Sequence, residues 1–305
     1  MRAEIEKVVE LTKHKDPKSL EQALTLLQNT VFSFSMKVCG QRQDAEDTMQ
    51  EVLLKSAGNL QKFNNPKALL VWLYKVAKNH CLMSRRKSKF APKEALSLEE
   101  LMPDRQELKT LSGNSPGTPE TSFMRTENAK RLREAVQKLP PEYRLILVLH
   151  DMEELSDSEI SEITGLRQGT IRVRLHRARL FVRKELAIQS ARHTRHEPAK
   201  KNGHQIQSPQ PRLRRCKDIF ADLSNYLDDE LDDSMCEELE KHMQGCEPCI
   251  AFLTSLEKTI EQCHHEPDQL PNPEVAAKFR RELMERYKGV MKNAGRNPAG
   301  AANRN

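Results

Sequence analysis

The chain has 305 residues, of which 31% are charged and 37% hydrophobic, and its formal net charge is +6. This length favours two or three domains, and seven cysteines are too few for a disulfide-stabilised secreted scaffold. The longest apolar stretches, such as Leu145 to Leu149, are far shorter than a membrane span, and the N-terminal segment has acidic residues where a signal peptide is apolar. We therefore expect a soluble, cytoplasmic, all-α protein without membrane contact.

Charge is segregated along the chain. Residues 1–90 carry a net charge of +7 and residues 191–215 a net charge of +6, whereas residues 216–265 carry −10. This pattern favours a polyanion-binding half and an acidic module that could cover it. Compositional drift between solvated faces is the alternative interpretation.

The first domain is predicted at residues 18–90, where apolar residues recur at helical spacing. Acidic residues begin its second helix, and a polar face with i, i+3, i+4 spacing follows. Either this face binds a partner or it is simply solvated. The residues of this candidate face are Asp47, Gln50 and Glu51.

A later helix of this domain carries an aromatic side chain beside lysines, Trp72 with Lys75 and Lys78. Aromatic and basic residues together suit unstacked bases and phosphates, although a lone tryptophan is also common in a core. The segments DAEDTMQEVLLK and WLYKVAKN resemble the first domain of extracytoplasmic-function (ECF) sigma factors of bacterial RNA polymerase. The resemblance implies that the acidic helix binds core RNA polymerase and that the Trp72 helix reads and melts the minus-ten promoter element. Met83 and Ala57 depart from the usual family residues.

A linker is predicted at residues 91–125, followed by a helix-turn-helix domain at 126–187. Pro140 and Pro141 start one helix, Ser156 and Glu159 form a capping box, and Gly165 supplies the turn before a basic helix. Residues 167–184 contain seven basic side chains and no acidic one. Such a helix favours a polyanion partner, and a solvated basic helix is the alternative.

The basic helix resembles the recognition helix of the ECF sigma domain that binds the minus-thirty-five element of double-stranded promoter DNA. On that resemblance one set of side chains faces the major groove, and a second set contacts phosphates or forms structural pairs. The groove-facing set is Arg172, Val173, His176 and Arg177, and the second set is Thr170, Arg174 and Arg179. Arg167 stands where the family usually has a capping serine.

After a second predicted linker at residues 188–212, a cysteine-rich module is expected at 213–264. His242, Cys246 and Cys249 have metal-ligand spacing, and two sulfurs with one imidazole suit tetrahedral zinc. We favour Cys216 as the fourth ligand, with Cys236 and Cys263 as alternatives. Scattered free thiols are the other explanation.

The spacing C-x25-H-x3-C-x2-C resembles the zinc-binding anti-sigma domain, here fused downstream of the two sigma-like domains. That resemblance implies one structural or regulatory zinc ion and an intramolecular contact between the module and the sigma domains. An amphipathic helix is predicted at 274–292 and a disordered tail at 293–305.

We therefore expect an RNA polymerase sigma factor that directs transcription initiation at specific promoters and is regulated in cis by its zinc module. The alternative is a helix-turn-helix regulator that binds DNA without core polymerase. No nucleophile–base constellation points to catalysis, so we expect no enzyme activity and no catalytic residue.

Overall fold

The structure is a computed structural model that describes residues 2–14, 16–56, 59–86, 96–103, 107, 122–194 and 213–294. Large parts of both predicted linkers, and nearly all of the predicted tail, lie outside these ranges. Within them every regular element is a helix, which confirms the all-α prediction. The chain forms two compact units. Unit 1 contains Met1–Ala91, Glu162–Thr164 and Asp268–Asn305, and unit 2 contains Pro92–Ser161 and Gly165–Pro267.

In the described part of unit 1 there are five complete α-helices, with a short 3-10 turn at Leu60–Lys62 between the third and fourth. They are α1 (Arg2–Lys13), α2 (Pro17–Cys39), α3 (Arg42–Ser56), α4 (Pro66–Arg86) and, from the end of the chain, α13 (Pro273–Ala294). Helix α2 is central, because α1, α3, α4 and α13 all contact it. It begins where the Asp16 carboxylate accepts hydrogen bonds from the backbone of Lys18 and Ser19, and it ends at Gly40, whose φ of 77° is readily adopted only by glycine.

Apolar side chains of α2 and α4 form the middle of unit 1. Leu27, Val31 and Phe34 of α2 are fully buried, and the Phe34 ring lies 4.4 Å from the Tyr74 ring of α4. Cys39 and Cys81 join the same two helices through a disulfide. The low number of cysteines excluded a disulfide-stabilised scaffold, but it did not predict a disulfide between Cys39 and Cys81.

Polar contacts hold helix α13, and the segment that precedes α13 in the sequence, against helix α2. Gln28 is buried and its side-chain amide donates to the carbonyl oxygen of Ala276 at 3.1 Å. Asp268 accepts from the Ser33 hydroxyl at 2.6 Å and from the Lys37 ammonium at 3.1 Å. Because Lys37 is itself buried, its charge is compensated largely by Asp268.

Unit 2 contains the helix-turn-helix elements and the cysteine-rich segment. Its helices are α5 (Leu98–Leu101), α6 (Ser122–Lys138), α7 (Pro141–Leu147), α8 (Asp157–Thr164), α9 (Gln168–Thr194), α10 (Leu213–Leu227), α11 (Asp233–Met243) and α12 (Glu247–His264). A π-helical turn at Val148–Met152 extends α7. The last three residues of α8 are the segment that groups with unit 1.

Local signals in the sequence explain the helix-turn-helix. Ser156 and Glu159 form the expected capping box at the start of α8, and Gly165, with φ of 76°, ends that helix. Part of the segment predicted as a linker is the short helix α5. It forms because Leu98 and Leu101 are apolar at helical spacing, and Leu101 and Met102 are buried in a hydrophobic cluster of unit 2.

Among the residues that the structure describes, no helix combines the length and the apolar character that a membrane crossing requires.

The capping box gives a prediction about the stability of unit 2. Replacing Ser156 with alanine removes the side-chain acceptor for the Glu159 amide, so the free energy of unfolding should fall by about 1 kcal/mol, measured by chemical denaturation. Ser158→Ala is the matched control, because Ser158 is an exposed residue of the same helix. Equal loss in both variants would contradict a specific capping contribution.

Candidate nucleic-acid interface and metal centre

Helix α9 presents two buried faces. Its first face contacts the helix-turn-helix core through four fully buried residues, namely Ile171, Leu175, Ala178 and Val182. A second face carries polar side chains at positions i, i+4, i+7 and i+11, which align along a helix of 3.6 residues per turn. These are Arg172, His176, Arg179 and Arg183.

The structure places the predicted DNA-binding residues of α9 in different environments. Thr170 is exposed, and Val173 is exposed over 51% of its surface. Arg174 pairs with Glu142 at 2.8 Å, and Arg177 donates to the carbonyl oxygen of Leu96 at 3.1 Å. DNA contact by these residues stays a prediction.

Arg179 lies between two carboxylates. Its Nε and Nη2 donate to Asp151 at 2.9 and 2.6 Å, and its Nη1 and Nη2 donate to Asp228 at 2.7 and 2.8 Å. The residue is 1% exposed. Burial opposes ionisation of Asp151, but the charge and hydrogen bonds of Arg179 outweigh it and hold the pKa of this carboxyl well below its usual range. Both groups are therefore charged, and Asp228 brings a second carboxylate from the turn after α10.

Arg172 repeats this pattern closer to the surface. Its Nε donates to Asp157 of α8 at 2.8 Å, and its Nη2 donates to Glu230 at 2.6 Å. Glu230 lies in the same turn as Asp228, between α10 and α11. Each arginine therefore has one carboxylate partner from the helix-turn-helix and one from the segment that contains the cysteine-rich module.

His176 lies between these two arginines on α9. It is 7% exposed, and neither ring nitrogen has a hydrogen-bond partner among the described residues. Burial, with the charges of Arg179 and Arg177, lowers the pKa of His176 to about 4. The imidazole is therefore neutral near pH 7.

Arg183 completes the polar stripe and was not among the predicted site residues. Its guanidinium lies 4.2 Å from the centre of the Phe252 ring of α12, and its Nη2 donates to Glu107 at 2.7 Å. The sequence signal that identifies it is its position four residues after Arg179, on the same face of the helix.

A hydrophobic cluster unites α9 with the cysteine-rich helices. Leu180 of α9 is buried together with Phe220 and Leu223 of α10 and Phe252 and Leu256 of α12. The centroids of the Phe220 and Phe252 rings are 4.5 Å apart. Helix α9 therefore contributes to two cores within unit 2.

In unit 1 the other predicted site residues lie on α3 and α4. Trp72 is partly buried and its ring lies 5.6 Å from that of Phe63, while Lys75 is exposed and Lys78 is half-buried. On α3, Asp47 is exposed, Gln50 and Glu51 are half-buried, and Glu51 pairs with Lys55 at 2.9 Å. Both surfaces stay predictions for DNA and polymerase contact.

Three of the four predicted metal ligands come together in unit 2. His242 Nε2 lies 3.3 Å from Cys249 Sγ, Cys246 Sγ lies 3.2 Å from Cys249 Sγ, and the three donor atoms are mutually within 4.8 Å. His242 is in the last turn of α11, and Cys246 caps α12. A zinc ion about 2.3 Å from sulfur and about 2.0 Å from nitrogen can contact all three atoms at once, so the donor set fits zinc.

The position of the fourth ligand is less defined. Cys216 lies in α10, but its side chain is outside the described part of the structure. Cys236 and Cys263, the alternatives, do not belong to the donor group found among the described residues. Cys263 is buried, and burial together with the negative charge of Asp151 raises the pKa of its thiol well above the ordinary value.

Three segments of the sequence match known family models. Residues 24–90 match Sigma-70 region 2, residues 129–182 match Sigma-70 region 4, and residues 216–249 match a putative zinc-finger family. The zinc-finger match begins at Cys216 and ends at Cys249.

Curated relatives agree with the first two matches. The chain is 27% identical over 182 residues to the ECF RNA polymerase sigma factor SigW of Bacillus subtilis, covering 60% of this chain and 96% of SigW. It is 30% identical over 145 residues to the RNA polymerase sigma factor SigV of the same organism, covering 48% of this chain and 77% of SigV. It is 31% identical over 162 residues to the ECF RNA polymerase sigma factor SigE of Mycolicibacterium smegmatis, covering 53% of this chain and 59% of that protein.

The chain belongs to the ECF RNA polymerase sigma factors. This sigma factor directs transcription initiation at specific promoters, and sigma factors are not a class of enzymes. The prediction from the sequence is confirmed for the family and for sigma factor function, and regulation in cis by the zinc module stays a prediction.

The buried His176 gives the sigma factor a predictable pH response. With a pKa near 4 in the folded chain and 6.5 as the ordinary value, only the unfolded chain takes up this proton between pH 6.5 and 4. Stability therefore falls as the pH falls through this window, by about 2 kcal/mol between pH 7 and pH 5.

Urea unfolding at both pH values tests this response. His176→Leu should lose about that much of the pH dependence, whereas His265→Gln, at an exposed histidine, should keep it. An unchanged pH dependence in His176→Leu would contradict a buried neutral imidazole.

Proposed function

We propose that this sigma factor masks its own promoter-binding helix. The cysteine-rich module, residues 213–264, covers α9 by supplying one carboxylate to Arg172, a proposed DNA contact, and one to the buried Arg179. The observation that carries this proposal is the pair of contacts from Asp228 to Arg179 and from Glu230 to Arg172.

In the open state α9 would enter the major groove of the minus-thirty-five element. A recognition helix reads bases through side chains near its N-terminal end and holds phosphates with the remaining basic residues. Arg172, Val173, His176 and Arg177 are the proposed base-facing residues. Thr170 and Arg174 are proposed phosphate contacts, because Thr170 is exposed and the Arg174 partner Glu142 is on the surface.

In the closed state, with the module bound to α9, the module competes with DNA in two ways: its negative charge repels DNA, and it covers part of the surface of α9. Glu230 occupies a guanidinium nitrogen of Arg172 at 2.6 Å, which is a distance that a phosphate oxygen would also adopt. The net charge of −10 in residues 216–265 adds repulsion to any DNA that approaches α9. The burial of Leu180 against α10 and α12 fixes the module in place.

Contacts in unit 1 support a second masking interaction, in which residues 268–294 cover part of helix α2. Helix α13 and Asp268 occupy one face of α2, through Gln28, Ser33 and Lys37. Helix α2 packs along α3, which carries the proposed polymerase-binding residues Asp47, Gln50 and Glu51. We infer that residues 268–294 restrict the surface of unit 1 that is offered to core RNA polymerase.

The module is proposed to bind one zinc ion through His242, Cys246, Cys249 and Cys216. When bound, zinc would cross-link the helices by coordinating their deprotonated ligands. Cys246 immediately precedes α12 and Cys249 lies in its first turn, so both sulfurs come from one end of this helix. His242 ties the end of α11 to the same point, so the ligands hold the two helices together at their junction.

The masking proposal is tested by run-off transcription with core RNA polymerase on selected promoters. The double variant Asp228→Asn, Glu230→Gln loses both charged contacts at a cost to the closed state of about 2 kcal/mol, so transcription should rise by about 10-fold or more. Glu237→Gln, Glu238→Gln is the matched control, because both residues are exposed acids of α11. Equal activity of the double variant, the control and the unmodified chain would contradict masking by these carboxylates.

Metal analysis of the purified full chain tests the zinc site. Cys249→Ser and Cys216→Ser should each lower zinc content from about one ion per chain towards none, because a structural site needs four ligands. Cys236→Ser and Cys263→Ser should retain zinc. Retention by Cys216→Ser with loss in Cys263→Ser or Cys236→Ser would reassign the fourth ligand.

A further inference from the structure

Unit 1 contains a disulfide whose two cysteines belong neither to the candidate metal ligands nor to helix α9. Cys39 is the last residue of α2, and Cys81 lies in α4, 42 positions later. Their Cα atoms are 5.7 Å apart and both residues are 1% exposed. Both fall within the segment that matches Sigma-70 region 2.

A short polar chain leads from this pair towards the surface. The Thr48 hydroxyl of α3 lies 3.6 Å from Cys81 Sγ and 2.9 Å from His80 Nδ1. Thr48 is buried, whereas His80 is half-buried. The Thr48 hydroxyl donates to the carbonyl oxygen of Asp44 at 2.7 Å, so its oxygen can accept a hydrogen bond from the Cys81 thiol when the bond is reduced. Thiolate is the reactive form of cysteine.

The disulfide joins two helices that carry functional contacts. Cys81 follows Lys78 by three residues on α4, the helix that carries Trp72 and the proposed minus-ten contacts. Cys39 follows Lys37 by two residues, and Lys37 pairs with Asp268. The disulfide therefore fixes α4 to the end of the helix that contacts α13.

We propose that Cys39 and Cys81 form a redox-reversible modification site, closed by a peroxide-class oxidant and reopened by glutathione or a protein dithiol. The proposal goes beyond masking by the zinc module and does not depend on it. A sigma factor works beside polymerase and DNA, in a compartment where disulfides are typically transient and redox-sensing. A permanent structural bond would be unusual there.

The chemistry balances with these reactants. The thiolate of one cysteine attacks hydrogen peroxide to form a sulfenic acid, and the departing oxygen leaves as water after protonation. The second sulfur then attacks the sulfenic sulfur, the disulfide forms, and the hydroxyl leaves as a second water. Two thiols are oxidised and one peroxide is reduced to two waters. Two glutathione thiols reverse the result by thiol–disulfide exchange and become glutathione disulfide.

The expected consequence is a redox-dependent stability of unit 1. The bond closes a long loop that contains α3, so it restricts the unfolded chain and raises the temperature at which this unit unfolds. We expect a rise of about 10 °C in the midpoint of the unit 1 transition on oxidation.

Peptide mapping of the full, zinc-loaded chain tests the site directly. The protein is treated with hydrogen peroxide, alkylated and digested, and the Cys39–Cys81-linked peptide is quantified by mass spectrometry before and after excess reduced glutathione. The linked peptide should form with peroxide and disappear with glutathione. The thermal midpoint should follow it in the unmodified chain and in Cys236→Ser, but not in Cys39→Ser or Cys39→Ala.

Two results would overturn the proposal. One is a failure of peroxide to produce the linked peptide in the folded chain. The other is a linked peptide that persists under excess glutathione in the native protein, because that result marks a permanent structural bond. Peptide mapping of the unmodified chain decides between these results, whether or not the Cys39 variants fold.

Discussion

The arrangement of unit 2 depends on the buried guanidinium of Arg179. Arg179 is 1% exposed, so its charge must be matched inside the protein, and Asp151 and Asp228 do this with two hydrogen bonds each. Removing such charges from water costs several kcal/mol per ion, which cancels much of their mutual attraction. The contact therefore contributes orientation more than stability. It fixes the turn after α10 against one position of α9, and Glu230 then meets Arg172 two helical turns earlier along α9.

Apolar contacts supply most of the stability of this arrangement. Helix α9 buries Ile171 and Leu175 in the helix-turn-helix core and Leu180 in the core shared with α10 and α12. A helix with two buried faces has little surface left for a third partner. Under the proposed function, DNA and the module are therefore alternatives for one helix. Under the same proposal, the polar stripe of Arg172, His176, Arg179 and Arg183 would decide whether α9 binds DNA or the module.

Sequence patterns predicted the local features of the fold well, because local features rest on residues a few positions apart. The Ser156–Glu159 capping box, the Gly165 turn and the cluster of His242 with Cys246 and Cys249 all follow from short spacings. Contacts between distant segments were not predictable in the same way. Segregated charge indicated that an acidic module could cover a basic surface, but no spacing rule pairs Asp228 with Arg179 across 49 positions. The Cys39–Cys81 bond has the same origin, because helix packing and not sequence spacing brings its sulfurs together.

Arg172 and Arg179 each have two carboxylate partners, so the module can separate from α9 without leaving either guanidinium unpaired. If Asp228 and Glu230 withdraw, Arg179 keeps Asp151 and Arg172 keeps Asp157, so neither charge loses all of its partners. His176 and two nitrogens of Arg183, which lack hydrogen-bond partners among the described residues, would gain water. The main cost of opening is then the exposure of the apolar cluster around Leu180 and Phe252. The turn that holds Asp228 and Glu230 ends where α11 begins, and the proposed metal ligand His242 lies in the last turn of α11. Loss of a metal bound there would therefore loosen the helix that follows both carboxylates. Under both proposals, the zinc site would act on the mask through the order of α11.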